Sequence, residues 1–272
     1  MKNTIKLTIA FTLFSLFLAS CGDPIDITAE YDVNKNSSKV PPVVIEAWIK
    51  SGNEIQYVIV SKPVSIKNSG KQFVNNATVT YSDDKGRSVN LTFVGNGRYE
   101  TNAFEGINDG RTYKLVVSAE GKTYESFSKM PITPLPIDSI RAEPNEDKPG
   151  KYIAKLYANV HTAFDEYYLF KLYKNDVLQN EPDNIFVANN NGLNGRIPGI
   201  ELLDNYAKGD EIKCEFYSIT KEAHDFYVGW QNQVNSDGGQ FGGPPANIQG
   251  NIPGALGLFQ ASYIFRDSVV VK

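Results

Sequence analysis

Thr112-Tyr113-Lys114-Leu115-Val116-Val117-Ser118-Ala119-Glu120-Gly121-Lys122-Thr123-Tyr124-Glu125-Ser126-Phe127-Ser128 is the stretch whose reading decides the fold. Tyr113, Leu115 and Val117 recur at every second position, the spacing that puts successive side chains on opposite faces of a strand and is incompatible with one helix face. Glu120-Gly121 supplies a two-residue turn whose glycine accepts the positive φ that tight hairpins require. The same pattern recurs upstream. Val43 to Ile49, Ile55 to Val60, Ala77 to Tyr81, Ser88 to Val94 and Gly97 to Thr101 are β-branched or alternating runs separated by Ser51-Gly52-Asn53, Asp83-Asp84-Lys85-Gly86, Gly95-Asn96-Gly97 and Asn108-Asp109-Gly110. About seven short strands spaced by turn residues predict an immunoglobulin-like sandwich over residues 42–133. Its expected core is Ile45, Trp48, Val58, Val79, Leu91, Phe93, Tyr99, Tyr113, Leu115 and Val117.

Pro131-Ile132-Thr133-Pro134-Leu135-Pro136 follows. Its prolines lack ladder donors, so it predicts a boundary and not a central strand. Beyond it, strands are expected at Ser139–Ala142, Tyr152–Val160, Tyr167–Tyr173, Asn184–Ala188, Glu211–Ile219 and Ala261–Val271, making 134–272 a second mainly β domain. The fold class expected is therefore all-β, two tandem immunoglobulin-like β-sandwich domains, the second carrying one amphipathic helix and a long Gly/Pro-rich loop. The helix is predicted over 220–235. Thr220 serves as N-cap, Glu222 lies in the first turn, and Ala223, Phe226, Tyr227, Trp230 and Val234 repeat with helical period as a stripe suited to covering a sheet. Gly238 to Gly257 then runs without periodicity. A loop this long is either a binding element or a crossover feeding the last strand.

The N-terminus sets location. Lys2 and Lys6 precede the short apolar run Ile9 to Leu18, the arrangement of a secretory signal peptide over residues 1–20 and too short for a spanning helix. Leu18-Ala19-Ser20-Cys21 resembles the lipobox of bacterial lipoproteins, in which cleavage precedes the cysteine and its thiol and new amine are acylated. Cys21 is thus the expected lipidation site, and residues 21–41, polar and rich in Asp, Asn, Ser and Lys, read as a lipidated tether.

At 272 residues and 41% hydrophobic, the chain can build a substantial core. The formal net charge is −4, and removing residues 1–20 takes Lys2 and Lys6 with it, so a nucleic-acid partner is not expected. With Cys21 acylated, Cys214 has no partner for a disulfide. It sits in Ile212-Lys213-Cys214-Glu215-Phe216, where alternation puts it on the apolar face.

Catalytic templates fail. There is no G-x-S-x-G elbow or H-E-x-x-H, and His161 and His224 are the only histidines. The glycine that a phosphate loop needs before Gly121-Lys122-Thr123 is Val116. The acidic turns Asp83-Asp84 and Glu143 to Asp147 lack a calcium-loop spacing and read as solvated turns. No cofactor, no metal site and no enzyme activity are expected. Aromatic residues reach 12%, and adjacent strand residues such as Tyr167-Tyr168 point to opposite faces, leaving one of the pair free to meet a glycan or protein partner.

The lipobox, Val43 to Ile49, Ala77-Thr78-Val79-Thr80 with Asp84-Lys85-Gly86, Gly97-Arg98-Tyr99, Gly110 to Leu115, Pro134 to Asp138, Asp165 to Phe170, Gly209 to Phe226 and, most specifically, Pro245-Ala246-Asn247, Asn251-Ile252 and Ala255 to Phe259 together resemble a Bacteroidota outer-membrane lipoprotein family catalogued as domain of unknown function 4249. The resemblance implies an outer-membrane, lipid-anchored protein encoded beside TonB-dependent receptors, and Asp23 and Asp26 just after Cys21, similar to acidic surface-export signals, add the cell surface as the expected face. The function expected is a non-enzymatic accessory subunit of a TonB-dependent nutrient transporter, with the receptor barrel as partner and a glycan or peptide as ligand. The alternative is a surface glycan-binding or adhesion module. Phe241, Pro244, Pro245, Asn247, Asn251, Leu256 and Phe259 are the candidate partner or ligand contacts.

Overall fold

The computed structural model describes residues 41–64, 70–131, 137–179, 186–202, 205–235, 248 and 250–272. The signal segment, Cys21 and all of the tether but Pro41 lie outside them, as do residues 132–136 of the proline-rich boundary. Nine strands come from the first half: β1 (Val44–Lys50), β2 (Gln56–Lys62), β3 (Gln72–Phe73), β4 (Thr78–Asp83), β5 (Ser88–Asn90), β6 (Thr92–Gly95), β7 (Arg98–Thr101), β8 (Thr112–Ala119) and β9 (Lys122–Lys129). The second half adds β10 (Ile137–Pro144), β11 (Tyr152–Asn159), β12 (Tyr167–Lys174), β13 (Val177–Leu178), β14 (Phe186–Asn189), β15 (Arg196–Glu201), β16 (Glu211–Ile219), the helix α1 (Lys221–Asn235) and β17 (Leu256–Val270). The protein is all-β and of sandwich type, as its alternating runs predict.

Three sheets carry the fold. Two are small, ordered β5-β4-β8-β9 and β10-β11-β15, and the third is ten-stranded, with β13-β12-β16-β17-β1-β2-β7-β6 as its main path. The large sheet is continuous because β17 is used twice. Leu256–Ser262 pairs parallel with β1, and Tyr263–Val270 pairs antiparallel with β16. At the handover, Ser51 donates its backbone N–H to the Ser262 carbonyl at 2.9 Å, and its hydroxyl oxygen accepts the Ile264 N–H at 3.0 Å. Strands from both halves of the sequence thus share one sheet, which alternation within each half does not reveal.

Period two then sorts the core. On one face, Ile45, Ala47, Ile49, Phe259 and Ala261 pack against Tyr81, Leu115 and Val117 of the four-stranded sheet. Further along the same sheet, Tyr168, Phe170, Leu172, Ile212, Cys214 and Phe216 meet Leu156, Ala158 and Ile197 of the three-stranded sheet. Cys214 is a free, buried thiol flanked as its alternation predicts, and burial pushes its pKa up, which keeps it protonated and unreactive. The opposite face carries Trp48, Leu169, Tyr217, Ile219 and Leu258, and α1 lies over it through the fully buried Ala223. Trp48 is buried as expected, but on this reverse face.

Several expectations need correction. Ser88 to Val94 is not one strand. β5 belongs to the four-stranded sheet and β6 to the large one, with Leu91 buried between them and its N–H donated to the Val79 carbonyl at 2.9 Å. Phe93 is therefore not a core residue. It is 43% exposed on the edge strand β6 and covers only the Tyr99 ring, 5.4 Å away. The last strand begins at Leu256, not Ala261. Strand β15 was hidden by Pro198 and Gly199, a pair tolerated because β15 is an edge strand.

Gly257 explains how β17 comes so close to β1. Its φ is +103°, and a Cβ there would lie 2.1 Å from the Ile45 carbonyl oxygen, so only glycine fits without moving backbone. Gly257→Ala is expected to destabilise the fold by about 3 kcal/mol, combining backbone strain with overpacking. Gly192→Ala, also at positive φ but in open space, should cost about 1 kcal/mol. Urea midpoints compared at constant slope check the pair, and equal costs would contradict the steric account.

Candidate functional site

The reverse face of the large sheet holds the site. Trp48 faces Tyr57 across the β1–β2 pair and Gln260 across the β1–β17 pair. Lys171 of β12 reaches the same face, because its neighbours Phe170 and Leu172 are committed to the opposite core. Helix α1 closes one side. Thr220 caps it as expected, its hydroxyl oxygen accepting the Ala223 N–H at 3.2 Å. Ala223 is buried, but Phe226, Tyr227 and Trp230 on the same stripe are only half-buried, so the helix leaves an open cleft above the sheet. Its volume is about 520 Å³, within the range of small-ligand sites. Val44, Ile248, Leu256 and Leu258 supply apolar wall, buried Gln260 and half-buried Lys171 the polar lining, and Glu46 an exposed carboxylate.

The electrostatics of this cleft are unbalanced. The Lys171 ammonium lies 4.0 Å from the Trp48 ring centroid and 5.4 Å from that of Tyr217, a cation–π arrangement. Burial lowers its pKa to about 8, opposed by the charge of Glu215 and assisted by that of Lys50. Glu215 is not its ion-pair partner. That carboxylate accepts the Tyr217 hydroxyl at 2.5 Å, the Tyr173 hydroxyl at 2.9 Å and the Arg266 Nε–H at 2.9 Å. Among the described residues, Lys171 has no carboxylate or hydrogen-bond partner. The indole N–H of Trp48 and both ends of the Gln260 amide are also buried without a hydrogen-bond partner, although Gln260 approaches Tyr227. Each such orphaned group costs about 1 to 3 kcal/mol.

The residues singled out from sequence fall into three groups. Phe241, Pro244, Pro245 and Asn247 lie outside the described residues. Leu256 lines the cleft and is 36% exposed. Phe259 and Asn251 have other work. Phe259 is fully buried and stacks on Tyr81 with ring centroids 5.7 Å apart, so it packs the core and does not face a ligand. The Asn251 amide brackets Phe259, donating to its carbonyl at 2.7 Å and accepting its N–H at 2.8 Å, which ties the end of the Gly/Pro-rich stretch to β17.

Tyr168 enters the core while Tyr167 stays half-buried, its ring 5.1 Å from that of His224. His161 belongs to a satisfied network. Its Nδ1 is 2.9 Å from Glu166 Oε1, and Oε2 accepts the His161 N–H and the Tyr168 hydroxyl. Asn190 bonds the Glu166 N–H and the carbonyls of His161 and Phe164, so the cluster pins a turn. In the turn read as Asp83-Asp84, burial would raise the Asp83 carboxyl, but hydrogen bonds from Arg111 and Arg87 override it and hold it near 2, committing it to guanidinium partners. The described residues contain no group of three or more His, Cys, Asp or Glu placed to hold a metal, and no helix among them is long and apolar enough to cross a membrane.

Lys171, Gln260 and the aromatic side of α1 were not singled out as site residues. One signal was available: Lys171 is the only charge within Tyr167-Tyr168-Leu169-Phe170-Lys171-Leu172-Tyr173. Lys171→Met should raise stability at pH 7 by about 1 to 2 kcal/mol, the relief of desolvation less the lost cation–π contact. Between about pH 8 and 10.5 the unfolded wild type binds a proton that the folded state does not. Wild-type stability therefore rises with pH, and the advantage of the variant shrinks. Urea midpoints at pH 7 and near pH 10 check both magnitude and sign.

No curated protein matches the chain. A family model does, over residues 27–266, its description being "Domain of unknown function (DUF4249)", and the chain belongs to that family.

Proposed function

We propose that this chain is a non-enzymatic, lipid-anchored outer-membrane lipoprotein that serves as an accessory subunit of a TonB-dependent nutrient transporter, capturing a small ligand beside the barrel. The observation that carries the binding role is the cleft between α1 and the large sheet, which combines an apolar wall with polar groups that have no partner among the described residues. A folded protein retains such groups at a cost, and ligand binding is the most direct use for them. The described residues of the cleft present no nucleophile beside a base, and its lining is chiefly apolar, which favours binding over turnover. Support for the anchor and the transporter comes from the sequence: the signal-like N-terminus, Leu18-Ala19-Ser20-Cys21, and a resemblance that implies neighbouring TonB-dependent receptors.

Half-buried Phe226, Tyr227 and Trp230 favour a second reading, a surface glycan-binding module, since such rings can stack on sugar faces. Two measurements separate the readings. Gentle detergent extraction is expected to co-purify the protein with a barrel receptor, and Cys21→Ser is expected to release it from the membrane fraction. Isolation without a barrel across several detergents, with retention on a polysaccharide column, would favour the glycan module. Membrane retention of Cys21→Ser equal to wild type would remove the anchor.

A further inference from the structure

We propose that the occupant of the α1 cleft is a small monocarboxylic acid with a flat or apolar body, its carboxylate held by Lys171 together with the Trp48 indole N–H. The inference rests on reading the cleft as a ligand site and adds the chemistry of the ligand. Three observations point the same way. Lys171 is a cation inside an aromatic and aliphatic cleft, and the nearest internal anion, Glu215, is already satisfied by two tyrosine hydroxyls and a guanidinium. The indole of Trp48 can only donate and has no hydrogen-bond partner among the described residues, so with Lys171 the unmet demand on this side of the cleft is for an acceptor. The rest of the lining is hydrocarbon and ring surface, which suits a flat apolar body and leaves few partners for the many hydroxyls of a sugar. The exposed Glu46 carboxylate on the cleft opposes a second negative charge, which limits the ligand to a monoanion.

The protein carries its own reporter. Its two tryptophans, Trp48 and Trp230, both line the cleft, so intrinsic fluorescence reads this site. The probes are N-acetylphenylalanine, its neutral primary amide and cellohexaose, titrated into the purified mature protein near pH 7. The acid is expected to bind at least tenfold more tightly than the amide. Lys171→Met should reduce the acid to the level of the amide while leaving the amide within about twofold, and Lys171→Arg should keep the acid preference. Equal binding of acid and amide in the wild type, or an acid preference that survives Lys171→Met, overturns the carboxylate assignment and leaves the cleft as a ligand site. Stronger binding of cellohexaose than of the acid overturns it in favour of a glycan. No response to any probe overturns it as well, and the transporter-subunit reading then stands or falls with co-purification. Lys171→Met removes a half-buried charge with no carboxylate partner among the described residues and is expected to fold; its unfolding midpoint verifies this.

Discussion

Everything in this molecule depends on one strand joining two runs of strands into a single sheet. The backbone groups of β17 pair with β1 along one half of its length and with β16 along the other, so without it the large sheet falls into two parts. The constraint explains features that otherwise look unrelated. Gly257 is glycine because the Ile45 carbonyl occupies the space a side chain would need. Asn251 spends its whole amide on Phe259, fixing where the irregular segment ends and pairing begins. Ser51 uses both its backbone and its hydroxyl at the point where β17 leaves one partner for the other.

The same continuity creates the cleft. A sheet with cores on one face leaves its other face to be covered, and α1 covers it only in part. Ala223 seals the contact, while the larger rings after it hold the helix off the strands. Trp48, Gln260 and Lys171 come from β1, β17 and β12, which share one face only because the sheet runs on through β16 and does not stop between the two halves. A site assembled this way has a sheet for its floor and, for one wall, a helix packed on that sheet through Ala223, Phe226 and Tyr227.

Much of the fold was legible. Tyr113, Leu115 and Val117 sit where alternation puts them, Cys214 is buried between Ile212 and Phe216, and Thr220 caps the one helix among the described residues. What alternation cannot show is which sheet a strand joins. Ser88 to Val94 reads as one run, yet the chain changes sheets at Leu91, a tertiary decision with no local signal. The start of β17 was masked because Gly257, which makes the parallel pairing possible, is a residue that argues against a strand in isolation. The site was less legible still. The sequence directed attention to the Gly/Pro-rich stretch, and of its described residues Ile248, Leu256 and Gly257 line the cleft. The groups that define the cleft are spread over four elements, and their lack of partners is a property of three dimensions alone.

Because Ser51 and Ile264, at the junction of the two pairings, are 213 positions apart, their separation bears on the order of folding. Until β17 is in place, β1 has an open hydrogen-bonding edge and the large sheet cannot close. Closing so long a loop is slow. The hairpins of the two smaller sheets, joined over short separations, can form well before the strand that completes the large one.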